Sequence, residues 1–123
     1  MQEKQFDLKK GIKSEDLLFM CPDTLIVLAF VIKYAKKNSL PLVVTNILGA
    51  FKQSVSKTHP QGRAFDVSVR SWSLEAIEAC LIDITKKCGH LGAISYNTHK
   101  PRVAYHHNVG LGAHIHFQVY STL

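Results

Sequence analysis

Two short stretches, far apart in the chain, carry side chains that make chemical sense only together, so any fold must bring them to one place. His59-Pro60-Gln61-Gly62-Arg63-Ala64-Phe65-Asp66 lies near the middle and His114-Ile115-His116 near the C-terminus. Two imidazoles and one carboxylate can hold a zinc ion and leave a coordination position open for water or substrate. A structural zinc site is more often closed by four ligands, frequently including cysteine. The pattern therefore points to hydrolysis.

Strand geometry explains how these residues converge. Side chains alternate along a strand, so His114 and His116 project from the same face. Ala64-Phe65-Asp66-Val67-Ser68-Val69 alternates and is rich in strand formers, which places Asp66 on a strand. His59 sits in the loop leading into it, with Gly62 to permit a turn and Ala64 to leave room beside an ion. Ligands anchored on neighbouring strands are held rigidly, as a Lewis-acid site requires.

The rest of the chain supplies a scaffold of ordinary size. At 123 residues it reads as one domain, with 46% hydrophobic and 20% charged residues. Pro22 and Asp23 suit the start of a helix running to about Asn38, where the approach to Pro41 stops it. Leu25, Leu28, Ala29, Ile32 and Tyr34–Ala35 form its apolar face at helical spacing. Leu42-Val43-Val44-Thr45 reads as a buried strand, and 47–62 as a long loop able to wall a cleft. Ser73 caps a second helix, Leu74 to Lys87, with Gly89 as its stop. Gly92 to Tyr96, Arg102 to His106 and His114 to Tyr120 read as three further strands. Residues 1–20 form an N-terminal arm, with a turn of helix near Ser14-Glu15-Asp16-Leu17-Leu18. This order predicts an α+β fold, a mainly antiparallel sheet with helices packed on one face.

Composition narrows the partners. Fifteen Lys and Arg against nine Asp and Glu give a net charge of +6, which draws the surface toward polyanions: nucleic acid, acidic lipid headgroups or a bacterial wall carrying anionic polymers. The basic residues come in scattered pairs (Lys9-Lys10, Lys36-Lys37, Lys86-Lys87), the pattern of a solvated surface, and no specific nucleic-acid site is expected. Cys21, Cys80 and Cys88 are odd in number and contain no C-x-x-C pair, so a disulfide framework is not expected. Cys80 and Cys88 read as small buried hydrophobes. Leu25 to Ile32 is too short to cross a bilayer. The first seven residues carry no apolar signal-peptide core, so no secretory signal peptide is expected.

The motif His59-x-x-Gly62-x-Ala64-x-Asp66, followed by His114-x-His116, resembles the zinc D-Ala-D-Ala carboxypeptidase and L-alanyl-D-glutamate endopeptidase family. That group shares its fold, the LAS-type fold, with lysostaphin-type endopeptidases and the hedgehog signalling domain. Gly62-Arg63-Ala64-Phe65-Asp66-Val67 and Gly112-Ala113-His114-Ile115-His116-Phe117-Gln118-Val119 look most like its short, phage-encoded members. The resemblance implies His59, Asp66 and His116 as zinc ligands and His114 as the group that exchanges protons during attack on a peptide bond. It also implies peptidoglycan stem peptide as substrate, reached after release from the cell or as part of a virion. Three positions depart from the family. Lys57 stands where a serine is common, and Thr45-Asn46-Ile47-Leu48-Gly49 lacks the usual substrate-binding arginine. Gly110 to Ala113 hold no acid. Lys52 or Arg63 are the candidates to supply charge for a substrate carboxylate.

Two other functions compete. A zinc-stabilised binding or assembly module of the same fold would keep the ligands and lose turnover. The ending His114-x-His116-x-Gln118 also resembles that of histidine-triad-like nucleotidyl transferases, a reading that leaves His59 and Asp66 unexplained. Of the seven histidines, His90 and His99 lack supporting context, and His106 and His107 precede the His114 strand as surface or core residues, or as one neighbour of the metal site. Phe65 and Trp72 read as core. Tyr96 and Tyr105 either hydrogen-bond a scissile carbonyl or fill the sheet.

Overall fold

A computed structural model describes residues 6–10, 12–47, 62–94, 100–109 and 112–120. A short strand, β1 (Asp7–Leu8), opens the described chain, and a 3-10 turn (Ser14–Phe19) leads to helix α1 (Pro22–Lys37). Strands β2 (Val43–Asn46) and β3 (Ala64–Ser68) follow, then helix α2 (Leu74–Cys88) and a 3-10 turn at Gly89–Leu91. Strands β4 (Ala93–Ile94), β5 (Pro101–Arg102), β6 (Ala104–Val109) and β7 (Gly112–Gln118) complete it. The architecture is α+β.

Five strands form one mixed sheet in the order β1-β2-β3-β7-β6, and β4 with β5 makes a separate pair. β1 joins β2 in parallel, and the other pairings of the main sheet are antiparallel. The last strand is thus inserted between β3 and β6. Its register sets Phe65 opposite Phe117, Asp66 opposite His116 and Val67 opposite Ile115.

Alternation then divides the sheet into an apolar and a polar face. Phe65, Val67, Ile115 and Phe117 are fully buried and share one core with Val27, Leu28, Val31 and Ala35 of α1 and Ile77, Cys80, Ile84 and Cys88 of α2. Both helices therefore cover the same face. Burial of Val- to Phe-sized side chains stabilises by about 1.5–3 kcal/mol each, so this face dominates the fold's stability. Trp72 closes one end of the core, its indole Nε1–H donating to Pro41 O at 2.8 Å. Tyr34 joins the helices, its hydroxyl donating to Ala76 O at 2.8 Å.

The helices carry the expected start signals. Pro22 begins α1 with Asp23 in its first turn, and Ser73 Oγ accepts from Ala76 N at 3.1 Å to cap α2. The buried face of α1 is rotated from the expected one. Thr24, Val27, Leu28, Val31 and Ala35 point inward, whereas Leu25 is 41% exposed. Residues 25–32 are apolar on every side, so hydropathy alone does not choose a face. α1 ends in a Schellman closure, Leu40 N to Ala35 O at 2.9 Å and Ser39 N to Lys36 O at 3.3 Å. Ser39 occupies the left-handed position there, with φ of 53°.

Local expectations are met in part. Gly89 directly follows the last residue of α2, as expected of its stop, but it is right-handed (φ −56°) and continues into a 3-10 turn. The expected strand from Arg102 to His106 is broken at Val103: Arg102 pairs with Ala93 of β4, whereas Ala104 pairs with Phe117 of β7. The expected strand Gly92 to Tyr96 is described only as Ala93–Ile94, and Tyr96 lies outside the described residues. Cys21, Cys80 and Cys88 are buried, and none of the three is in a disulfide. Among the described residues no helix is long and apolar enough to cross a membrane.

Candidate functional site

The polar face of the sheet centres on the cross-strand pair Asp66 and His116. Period-two alternation, with Phe65 and Phe117 on the helix side, forces both of these polar residues to the opposite side. His116 Nδ1 lies 2.9 Å from Asp66 Oδ1, and the two residues are only 5% and 9% exposed. The sequence-predicted carboxylate and imidazole are brought together.

Gln118, two residues beyond His116 on the same face, decides the state of the ring. Its side-chain amide donates to Arg102 O at 3.1 Å, which turns Oε1 toward His116 Nε2, also at 3.1 Å. Nε2 must therefore carry the hydrogen. The other nitrogen, Nδ1, faces a carboxylate oxygen, and one positive particle between them satisfies both: a proton or a metal cation. Zinc ligands sit about 2.0–2.2 Å from the ion, so two donors of one tetrahedral centre lie only a few tenths of an ångström further apart than this pair. A ligating histidine also characteristically donates its remaining N–H to an oxygen acceptor, the part Gln118 Oε1 plays. Asp66 and His116 thus supply two donors of the kinds that zinc takes.

Around this pair stand Tyr105, for which the sequence left a site role and a sheet-filling role open, and two residues it did not single out, Arg102 and Asn46. The Tyr105 ring packs on the His116 ring with centroids 4.9 Å apart, from its register position opposite His116 on β6. The Arg102 guanidinium lies over the Tyr105 ring, 5.0 Å from its centroid. Burial holds the Tyr105 phenol above its usual pKa; the Asp66 charge pushes the same way and Arg102 opposes it. Tyr105 is thus a neutral hydrogen-bonding group through the physiological range. Asn46 pairs with Asp66 from the β2 side, after an irregularity between Val44 and Asn46 that shifts the register. Parity along each strand was the only available signal for these neighbours, and it says nothing without the strand order.

The remaining candidates divide clearly. His114 lies on the same face as His116, opposite Ser68 of β3 and His107 of β6. His106 pairs with Ile115 and so belongs to the helix-covered face, away from the Asp66–His116 pair. Its Nε2 is buried and has no hydrogen-bond partner among the described residues. Arg63 is at the start of β3, where its Nε donates to Val119 O at 3.0 Å. His59, Lys52 and His99 lie outside the described residues, and among the described residues no three His, Cys, Asp or Glu side chains gather into a metal-holding group. Gly62 has a φ of 70°, and its carbonyl accepts from Thr24 Oγ1 at 2.8 Å and Cys21 N at 2.9 Å. The start of β3 is thereby fastened to the first turn of α1.

Comparison of the chain with protein-family models, with curated proteins and with solved structures finds no match.

Proposed function

We propose that this chain is a zinc-dependent peptidoglycan hydrolase that cuts a stem-peptide bond, of carboxypeptidase or endopeptidase type, and is phage- or prophage-encoded. The observation that carries the reading is the buried Asp66–His116 pair at 2.9 Å, with the second imidazole nitrogen committed to Gln118. In this reading the LAS-type arrangement supplies His59 as the third ligand. Zinc, when bound, supplies Lewis acidity to water and to the scissile carbonyl.

The chain's own residues account for the rest of the chemistry. In this reading Asp66 contributes a carboxylate oxygen and His116 a ring nitrogen, held by strands whose register is fixed by core packing. His114, two residues earlier on the same strand face, is the group that takes up a proton and returns it to the leaving amine. Neutral Tyr105 is an O–H donor beside them. Arg102 brings a fixed positive charge to the same side of the sheet through its contact with Tyr105, which suits a substrate carboxylate. In this reading Arg102 joins Lys52 and Arg63 as a candidate for that role. The net charge of +6 favours encounter with an anionic wall, an attraction that salt weakens.

The test is digestion of purified peptidoglycan with zinc-loaded protein, with a chelator control and zinc add-back, scored by mass spectrometry of released fragments. New amine termini that appear with zinc and vanish with chelator are expected. Zinc uptake without any new termini, and a His114→Ala variant that behaves like the parent, would instead identify a zinc-stabilised binding module. A protein that takes up no zinc sinks both readings.

A further inference from the structure

We propose that Gln118 is a positioning residue that keeps a hydrogen on His116 Nε2 and thereby leaves Nδ1, beside Asp66, as the nitrogen for a cation. The inference deepens the zinc reading and rests on it for the identity of the cation, but the place of the Nε2 hydrogen follows from the Gln118 and Arg102 contacts alone.

The argument runs through three fixed points. The first is the Arg102 carbonyl, an acceptor with no proton to give. Its position is held from both sides: Arg102 pairs with Ala93 of β4, and the next carbonyl, Val103 O, accepts from Gln118 N at 2.8 Å. The second is the Gln118 amide. At 3.1 Å from Arg102 O, only its NH2 group can face that carbonyl, because the flipped amide would set two oxygens against each other. The third is His116 Nε2, at 3.1 Å from the Oε1 that this orientation leaves. An oxygen acceptor there demands a hydrogen on Nε2.

Burial makes the lock effective. Gln118 is 9% exposed and His116 5%, so little water is available to replace either bond. Leaving the Nε2 donor and the Gln118 oxygen unsatisfied is costly, so the hydrogen stays on Nε2 whichever cation, a proton or a metal ion, bridges Nδ1 and Asp66 Oδ1. With Nε2 so occupied, the nitrogen left for a cation is Nδ1, the atom beside Asp66 Oδ1. Gln118 thus connects the choice of ligating nitrogen to the backbone at Arg102, the residue whose guanidinium covers Tyr105.

The experiment is nitrogen-15 NMR of the His116 ring in the full chain, before and after zinc addition, together with zinc affinity by chelator competition. In the parent protein Nε2 is expected to be protonated with a slowly exchanging hydrogen, and zinc is expected to perturb Nδ1. Gln118→Leu should lose the protected Nε2 hydrogen and weaken zinc binding roughly 10- to 100-fold, the range seen when such supporting hydrogen bonds are removed. Gln118→Glu retains an acceptor and should keep the Nε2 hydrogen, and it carries the comparison if Gln118→Leu does not fold. Zinc on Nε2, or an unchanged ring spectrum and affinity in Gln118→Leu, overturns the proposal. If the parent binds no zinc while its Nε2 hydrogen is protected and Gln118→Leu loses it, the lock stands and the metal reading alone falls.

Discussion

Phe65 and Phe117 stack with ring centroids 4.8 Å apart on one side of the sheet, and their immediate chain neighbours, Asp66 and His116, meet at 2.9 Å on the other. The two contacts share the same pair of strands and the same register. Apolar packing between the Phe rings therefore sets how closely the carboxylate and imidazole approach. A one-residue slip would turn every side chain over and bury the polar pair among the helices.

Phe117→Ala is accordingly expected to act on both sides of the sheet. Removing a fully buried Phe ring costs about 3–5 kcal/mol, from lost transfer energy and the cavity left behind. Zinc affinity should fall in the same variant, even though Phe117 offers no ligand atom. Urea denaturation and chelator competition measure the two effects. A loss below about 1 kcal/mol, or unchanged affinity in a clearly destabilised protein, would remove the coupling between core and site.

Arg102→Gln removes the charge above Tyr105 while leaving its backbone carbonyl available to Gln118. Hydrogen bonds to charged groups are worth about 1.5–3 kcal/mol, so KM for a stem peptide with a free C-terminal carboxylate should rise roughly 10- to 100-fold. The same peptide as its amide should be cut with little change, and kcat should move less than KM. Equal effects on acid and amide would show that Arg102 does not read the carboxylate. Arg102→Lys is expected to recover only part of the difference, since an ammonium lacks the planar fork.

Alkaline pH provides a third expectation. Burial, with the Asp83 charge adding to it, pushes the Cys80 thiol from 9.0 up to about 12. Burial likewise raises the phenols of Tyr34 and Tyr105 above 10.0. Between the unfolded and folded values the native state keeps protons that the unfolded chain has released. Stability must then fall as pH rises, by at most about 1.4 kcal/mol per pH unit for each group. The Cys80 contribution is fully present below pH 9.0 and is lost progressively toward about 12. Urea midpoints from pH 7.5 to 11 should decline, and less steeply in Cys80→Ala, whatever that variant's absolute stability. A parent and variant with parallel slopes would rule out Cys80 as a source.

How far the sequence foretells this site depends on the range over which its signals act. Alternation is local, so the shared face of His114 and His116, and the strand under Asp66, were legible from neighbouring residues. The buried Phe65, Trp72, Cys80 and Cys88 were legible for the same reason. Strand order is a long-range property, and the insertion of β7 between β3 and β6 is what delivers Tyr105 to His116. Arg102 was beyond reach twice over, because its position also depends on the break at Val103. Gln118 was visible only as part of an H-x-H-x-Q ending, and its hydrogen-bond partner is a backbone carbonyl, which no side-chain pattern reports.

Gly62 is the part of the motif whose role is clearest in physical terms. Its φ of 70° lies in the left-handed region, and a Cβ there would sit 2.2 Å from Phe19 O. That oxygen belongs to backbone and cannot rotate aside. Gly62→Ala combines a left-handed penalty of about 1–2 kcal/mol with this clash. It also disturbs the carbonyl that accepts from Thr24 Oγ1 and Cys21 N. A total loss of about 3 kcal/mol or more is expected, a fall in Tm on the order of 10 °C for a chain of this size. Thr24→Val, which removes one hydrogen bond and keeps the shape, should cost only about 1 kcal/mol. Calorimetry of the two variants checks the ranking. A Gly62→Ala protein as stable as Thr24→Val would mean that the Phe19 carbonyl yields, and that the start of β3 is not fastened to α1 as tightly as the geometry requires.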